Sequence, residues 1–241
     1  GGVGGVGGKI RVHNFYLGGP VLSLPPPGPP GGRNPPPPVF EWQVTSESVH
    51  PEGVTCLLAL PDGRVVSGCV DKRVRVWQKM GKDWGVAARL DGHTNAITAL
   101  ASATLDPPAP PAPAEGEEEK KDEAEEEAPP PKEVLLTGSG DGTVRMWDVH
   151  GDWACITTFT APGAGGVKSI CQCSPKQIVV GMGDGSLRVW FLGKVAGQEE
   201  PGWVCRRTAA RADSKGCIYA MCVHGSRLVT GGSDAVMRVY Q

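Results

Sequence analysis

One hairpin recurs along this chain, and its repetition limits the fold more than any other feature. Val134–Asp148 reads VLLTGSGDGTVRMWD, two short apolar runs joined by Gly140-Asp141-Gly142. Gly-containing turns between short apolar runs mark β-hairpins. In the second run Val144, Met146 and Asp148 share one face, and Thr143, Arg145 and Trp147 the other. The same register returns at Arg64–Gln78, Gln177–Phe191 and Arg227–Gln241. In each copy an Asp (Asp71, Asp141, Asp184, Asp234) precedes an aromatic by six residues (Trp77, Trp147, Trp190, Tyr240). An Arg always stands two residues before that aromatic: Arg75, Arg145, Arg188, Arg238. A fainter copy, Gly4–Phe15, ends in KIRVHNF with His13-Asn14 at the place of Trp147-Asp148.

This pattern resembles the WD-repeat family of β-propellers. The dipeptide is whole at Trp147-Asp148 and weakened at Trp77-Gln78, Trp190-Phe191 and Tyr240-Gln241. The companion Gly-His element appears at Gly92-His93. The repeat aromatics lie 70, 43 and 50 residues apart. Subtracting a low-complexity insertion from the longest interval leaves about 41, inside the family's 40–45-residue blade period. The expected fold is therefore all-β: a partial propeller of about four blades of four-stranded antiparallel sheets, a fragment of the seven-bladed ring usual for the family.

Composition agrees with an all-β chain and limits its chemistry. Gly and Pro together make 58 of 241 residues, and the remainder is rich in Val, Leu and Thr, as short strands with frequent turns require. No apolar run approaches the roughly 18 residues of a membrane span. The chain starts at Gly1, so its true N-terminus is not legible. The eight Cys include no Cys-x-x-Cys pair, and we read them as small buried hydrophobes of a reducing, intracellular compartment, cytoplasmic or nuclear. Cys171-x-Cys173 puts two thiols on one strand face, without a His at metal-ligand spacing. No metal or other cofactor is expected. The net charge of −2 hides a local −7 at Glu115–Glu127, so the rest carries +5. That scattered surplus does not argue for nucleic acid.

Two stretches cannot build a core. Residues 20–38 hold ten Pro in nineteen positions, an extended Pro-rich insertion. Residues 105–132 form an acidic Pro, Ala and Glu tract, expected to be disordered. The whole chain, 1–241, is expected to be a single propeller segment that carries these two insertions. Its outer strands are expected at Val39–Thr45, Trp84–Leu90, Trp153–Phe159 and Trp203–Thr208. Its blade-opening strands are expected at Val54–Leu60, Ala96–Ala101, Val167–Cys173 and Cys217–Val223.

The resemblance implies a buried network of His, hydroxyl, Asp and Trp in each blade. Matched position by position, its complete sets are His50, Ser67, Asp71 and Trp77, and His93, Thr137, Asp141 and Trp147. A chain of bonds from Asp to His to hydroxyl to indole would satisfy groups that are costly to bury alone. The third blade has Gly163 and Val180 at the His and hydroxyl places, and the fourth has Ser214 and Tyr240 for His and Trp. Ser, His and Asp also form hydrolase triads, but no Gly-x-Ser-x-Gly elbow is present and the set repeats, which suits a scaffold. The Gly-rich start lacks the Lys-Ser or Lys-Thr of a phosphate loop.

The function implied is a non-enzymatic protein-interaction scaffold, such as a substrate-recruiting part of a ubiquitin ligase. The partners are then other proteins or peptides, with no membrane and no small-molecule substrate. An alternative is an RNA-associated protein whose nucleic-acid module lies outside this chain. Both insertions and the loop Leu192–Gly202 belong to one propeller face. The opposite face keeps short, rigid turns, which bind at lower ordering cost. Its candidate contacts are Glu52, Val70, Asn95, Gly140, Lys168, Gly183, Lys215 and Ser233.

Overall fold

The computed structural model describes residues 9–16, 41–81, 83–106, 130–161, 165–194, 201–209 and 216–241. Lys215, Gly163, Ser214 and the greater part of both low-complexity insertions lie outside them. The described residues form strands and turns, with no helix, and therefore none long and apolar enough to cross a membrane.

Strands β1 (Lys9–Tyr16) and β2 (Glu41–Val49) pair antiparallel. The first four-stranded sheet is β3 (Val54–Ala59), β4 (Val65–Cys69), β5 (Val74–Met80) and β6 (Asp83–Leu90). The second is β7 (Ile97–Leu105), β8 (Lys132–Ser139), β9 (Thr143–Asp148) and β10 (Cys155–Thr160). The third is β11 (Val167–Ser174), β12 (Gln177–Met182), β13 (Leu187–Lys194) and β14 (Pro201–Ala209). The fourth, β15 (Ile218–His224), β16 (Arg227–Gly232) and β17 (Met237–Tyr240), has three strands. Every pairing follows chain order, so each sheet is an antiparallel meander. The opening strands of successive sheets are neighbours: β3 lies beside β7, β7 beside β11 and β11 beside β15. The sheets thus fan around their opening strands as blades of a partial propeller.

Both faces of a middle blade are covered, which explains why its strands read as apolar runs. On β8, Leu135 packs toward the first sheet with Val66, Val76 and Trp147, whereas Val134 and Leu136 pack toward the third with Ile178 and Val180. The seam between third and fourth sheets is poorer, with Val179, Leu187, Val189 and Ile218 as its buried members.

Each inner seam is keyed by a glycine. A Cβ on Gly68 would collide with Ile97, one on Gly138 with Val167 and one on Gly181 with Ile218. In each case the aliphatic that opens the next sheet fills the space a side chain would need. Among the described residues, the fourth member of the series, Gly231, has nothing within 4 Å of the corresponding position. A hydroxyl from each opening strand then fastens the seam. Thr55 donates to the carbonyl of Ile97 at 2.5 Å, Thr98 to that of Val167 at 2.6 Å, and Ser169 to that of Ile218 at 2.9 Å.

Several expected boundaries shift. Trp153 does not open an outer strand: β10 starts at Cys155, and Trp153 takes a left-handed φ of 63°. There it stacks under the Arg64 guanidinium, 4.7 Å from the ring centroid, while Arg64 also donates to the carbonyl of Val149. The loop expected at Leu192–Gly202 shortens, because the pairs Leu192↔Trp203, Gly193↔Gly202 and Lys194↔Pro201 extend the ladder. The cysteines are also less buried than expected. All eight are free, Cys69 is buried, and Cys155, Cys205 and Cys222 are exposed.

Candidate interaction face

In a meander of this kind, the turns between second and third strands share one end of the sheet with the segment entering the first strand. Four repeated features build that end. In every turn the Asp carboxylate accepts the backbone N–H two residues on. Arg73 donates to Asp71 at 3.2 Å, Thr143 to Asp141 at 2.8 Å, Ser186 to Asp184 at 2.9 Å and Val236 to Asp234 at 3.4 Å. Such Asx turns rigidify a hairpin tip.

The residue after each Asp takes a left-handed conformation: Lys72, Gly142, Gly185 and Ala235 have φ of 70°, 81°, 82° and 59°. Glycine adopts this freely, whereas Lys72 and Ala235 hold it against their own Cβ.

The residue before each Asp donates its N–H to the carbonyl just ahead of the opening strand. Val70 bonds Gly53 at 3.0 Å, Gly140 bonds Ala96 at 2.9 Å, Gly183 bonds Gly166 at 2.9 Å and Ser233 bonds Cys217 at 3.1 Å. These donors are four of the candidate contacts expected from sequence, so each tip is tied to its own blade.

The fourth feature is the second partner of the carboxylate. Where the residue two positions after Asp carries a hydroxyl, that hydroxyl takes it: Thr143 on Asp141 at 2.7 Å and Ser186 on Asp184 at 2.6 Å. Where it does not, the Arg four positions on takes it. Arg75 grips Asp71 at 3.2 and 2.6 Å, and Arg238 grips Asp234 at 2.6 Å.

This exchange separates the two expected networks. In the second sheet His93 Nδ1 lies 3.2 Å from the Asp141 carboxylate, and His93 Nε2 lies 2.8 Å from the Thr137 hydroxyl. Trp147 Nε1 donates to that same hydroxyl at 2.9 Å. A neutral imidazole with its proton on Nδ1 satisfies every bond in this chain. Asp141 also accepts the Thr94 N–H at 2.8 Å, and its pKa is lowered to about 2. Burial opposes that shift, and the bonds from Thr143 and Thr94 outweigh it.

In the first sheet His50 Nε2 meets Ser67 at 2.9 Å, and Trp77 Nε1 donates to Ser67 at 2.7 Å. The expected link from His50 to Asp71 is absent among the described residues, and His50 Nδ1 is buried without a partner there. The residue after His50 explains the difference. It is Pro51, which has no N–H to offer where Thr94 binds Asp141. Asp71 turns to Arg75 instead. The sequence displayed both signals, Pro51 and the recurrent Arg, but assigned neither a role.

Ser67 and Thr137 are fully buried, at 0% exposure, so neither hydroxyl is within reach of a substrate. Burial lowers the pKa of both His50 and His93, and beside His50 the Arg75 charge adds to it.

The other candidate contacts occupy the same end. Glu52, Val70, Asn95 and Ser233 are exposed, whereas Gly140, Lys168 and Gly183 are half-buried. The Asn95 side chain caps the N–H of Ala96 at 2.8 Å, and the Asn95 carbonyl accepts from Ser139 at 2.9 Å. The paired strand ends Tyr16↔Glu41, Leu105↔Lys132 and Lys194↔Pro201 lie at the opposite end. Among the described residues no group of three or more His, Cys, Asp and Glu could hold a metal ion.

Comparison with known proteins agrees with this architecture. Residues 42–78, 128–148 and 153–190 match the sequence model of the family described as WD domain, G-beta repeat. The ribosome biogenesis protein YTM1 of Meyerozyma guilliermondii is 32% identical over 108 residues, which are 44% of this chain and 23% of that protein. The C-terminal WD40 domain of Sif2 superposes with a TM-score of 0.54 at 14% identity, over 82% of this chain and 48% of that one. A chain of the mitotic checkpoint complex gives 0.55 at 20% identity, over 80% and 51%. The chain thus spans about a quarter of its curated relative and about half of each solved one.

Proposed function

Since the chain belongs to the WD-repeat family, we propose that it acts as a protein-interaction scaffold and docks its partner on the face of the Asp turns. The observation that carries this reading is the fourfold bond from the residue before each Asp to the start of the same blade. It holds Val70, Gly140, Gly183 and Ser233 in fixed positions before any partner arrives, so little ordering cost remains for binding. The buried hydroxyls of Ser67 and Thr137 favour a structural network over a hydrolase.

Among assemblies, the likeness to YTM1 supports a complex engaged in ribosome biogenesis rather than recruitment to a ubiquitin ligase. An intracellular place accompanies that reading. The other reading, an RNA-associated protein whose nucleic-acid module lies outside this chain, would show as a steep salt dependence of RNA binding.

The test is affinity capture with the full chain. Asn95→Arg, Lys168→Glu and Ser233→Arg together should abolish recovery of preribosomal proteins, and deletion of residues 107–129 should leave it intact. Capture that survives the triple variant and fails on the deletion refutes the proposed face.

A further inference from the structure

The four Asp turns do not use their carboxylates equally. Asp71 engages both oxygens, through the N–H of Arg73 and the guanidinium of Arg75. Asp141 engages both, one with Thr143 and the other with His93 and the Thr94 N–H. Asp234 does so with the Val236 N–H and Arg238. In Asp184 the N–H and hydroxyl of Ser186 both donate to Oδ1, and among the described residues Oδ2 has no partner. The third blade's own sequence is the cause. Ser186 takes the place of the Arg, as Thr143 does in the second blade, and Gly163 stands where the second blade has His93. Asp184 is also the exposed member of the four, whereas the side chains of Asp71, Asp141 and Asp234 are 12%, 10% and 15% exposed. Its surroundings are bare backbone. Gly183 and Gly185 flank it, and a Cβ on Gly183 would collide with the carbonyl of Gly165. Glycines of this kind let another backbone come close. The Lys168 Cε lies beside Gly183, yet no ion pair joins Lys168 to Asp184.

We propose that the free Oδ2 of Asp184 is a specificity contact of the docking face and takes the lysine or arginine side chain of an extended partner segment. The inference rests on the docking face proposed above. A segment laid across this tip shields the carboxylate from water, and a carboxylate left unpaired there opposes binding. A cation supplies the missing donor through a charge-assisted N–H···O bond. An apolar or acidic residue at the same place leaves the carboxylate stranded or repelled, so the contact selects against it.

The experiment presents the full chain to an immobilised library of random extended peptides whose central residue is fixed as lysine, arginine, alanine or glutamate. Wild type should retain the lysine- and arginine-centred peptides about tenfold better than the others, as a hydrogen bond to a charged group allows. Asp184→Asn keeps an oxygen for both Ser186 bonds and turns the free atom into an amide nitrogen. Its melting temperature should therefore match wild type while the preference disappears. Asp152→Asn makes the same charge change at the opposite end, where Asp152 accepts the Ala154 N–H at 3.0 Å, and should leave the preference intact. An equal preference in wild type and Asp184→Asn, or no preference for cations in wild type, overturns the contact. Asn95→Trp with Ser233→Trp blocks the face without altering charge. If that variant loses the peptides while Asp184→Asn keeps the preference, the face stands and the contact fails. If it binds as wild type does, the face itself fails.

Discussion

Asp71 holds Arg75, four residues along the same hairpin, through bonds of 3.2 and 2.6 Å with both side chains nearly buried. In the next blade Asp141 does not hold Arg145, which donates instead to the carbonyl of Gly92 at 3.0 Å. The residue two positions after each Asp separates the two arrangements, a hydroxyl at Asp141 and none at Asp71, and at Asp71 the missing N–H of Pro51 acts in the same direction. A double-mutant cycle should therefore give a coupling above about 1 kcal/mol for Asp71 with Arg75, as charged hydrogen bonds do. The equivalent cycle for Asp141 with Arg145 should give a value near zero. Equal couplings would remove the residue at that position as the selector.

Asp141 should matter more to stability than Asp184. Asp141 serves His93, Thr94 and both the N–H and hydroxyl of Thr143. Asp184 serves the N–H and hydroxyl of Ser186. From sequence Asp184 was expected to hold no hydroxyl; Ser186 corrects that and narrows the gap. Asp141→Ala should cost roughly 1–3 kcal/mol through the groups it strands, and Asp184→Ala less. Chemical denaturation of both variants reads the order directly.

Acid should weaken the fold in two stages. His50 and His93 have folded pKa values lowered chiefly by burial, below an unfolded value near 6.5. The unfolded chain therefore binds more protons, and stability rises with pH. This contribution is complete above about pH 6.5 and is lost as pH falls through the lower folded values. Asp141, lowered to about 2, contributes above its unfolded value near 3.9 and loses that contribution as pH falls toward 2. Denaturation midpoints from pH 8 to pH 2 should show both declines, and Asp141→Asn should lessen the lower one while also lowering the His93 pKa further, because the Asp141 charge holds it up.

The turn glycines are not interchangeable with their counterparts. Gly142→Ala places a Cβ at a φ of 81° and 3.1 Å from the carbonyl oxygen of Ala161. It should destabilise by more than about 1 kcal/mol. Lys72→Gly relieves a strained φ of 70° and should be close to neutral, because glycine also frees the unfolded chain. Thermal melts that rank Lys72→Gly as the more harmful change would contradict the strain at residue 72.

The blades were legible in the sequence because a hairpin writes itself locally. Alternation and the Asp turn fix Val65–Cys69 with Val74–Met80, and the same pattern fixes the three later copies. Contacts between blades were not legible. Trp153 leaves its strand to meet Arg64, 89 residues earlier in the chain, and nothing beside Trp153 signals it. Gly138 resembles an ordinary strand glycine until Val167 of the next sheet is seen against it. In the first network, the missing N–H of Pro51 diverted Asp71, a substitution effect that matching by position overlooks.

The open space above Gly231 has a consequence for how such an arc behaves in solution. Among the described residues Gly231 is a lock without a key, and Val54 holds the place in β3 that Ile97, Val167 and Ile218 hold in the later sheets. Around Gly231, Tyr219, Met237 and Val239 are exposed at 58%, 72% and 52%. Unlike surfaces that match one another at opposite ends of a body make head-to-tail contacts, which close into rings or extend without limit. Four such blades cut free of any following blade would carry the geometry of a filament subunit, and a bulky polar residue at position 231 is the smallest change that would blunt it.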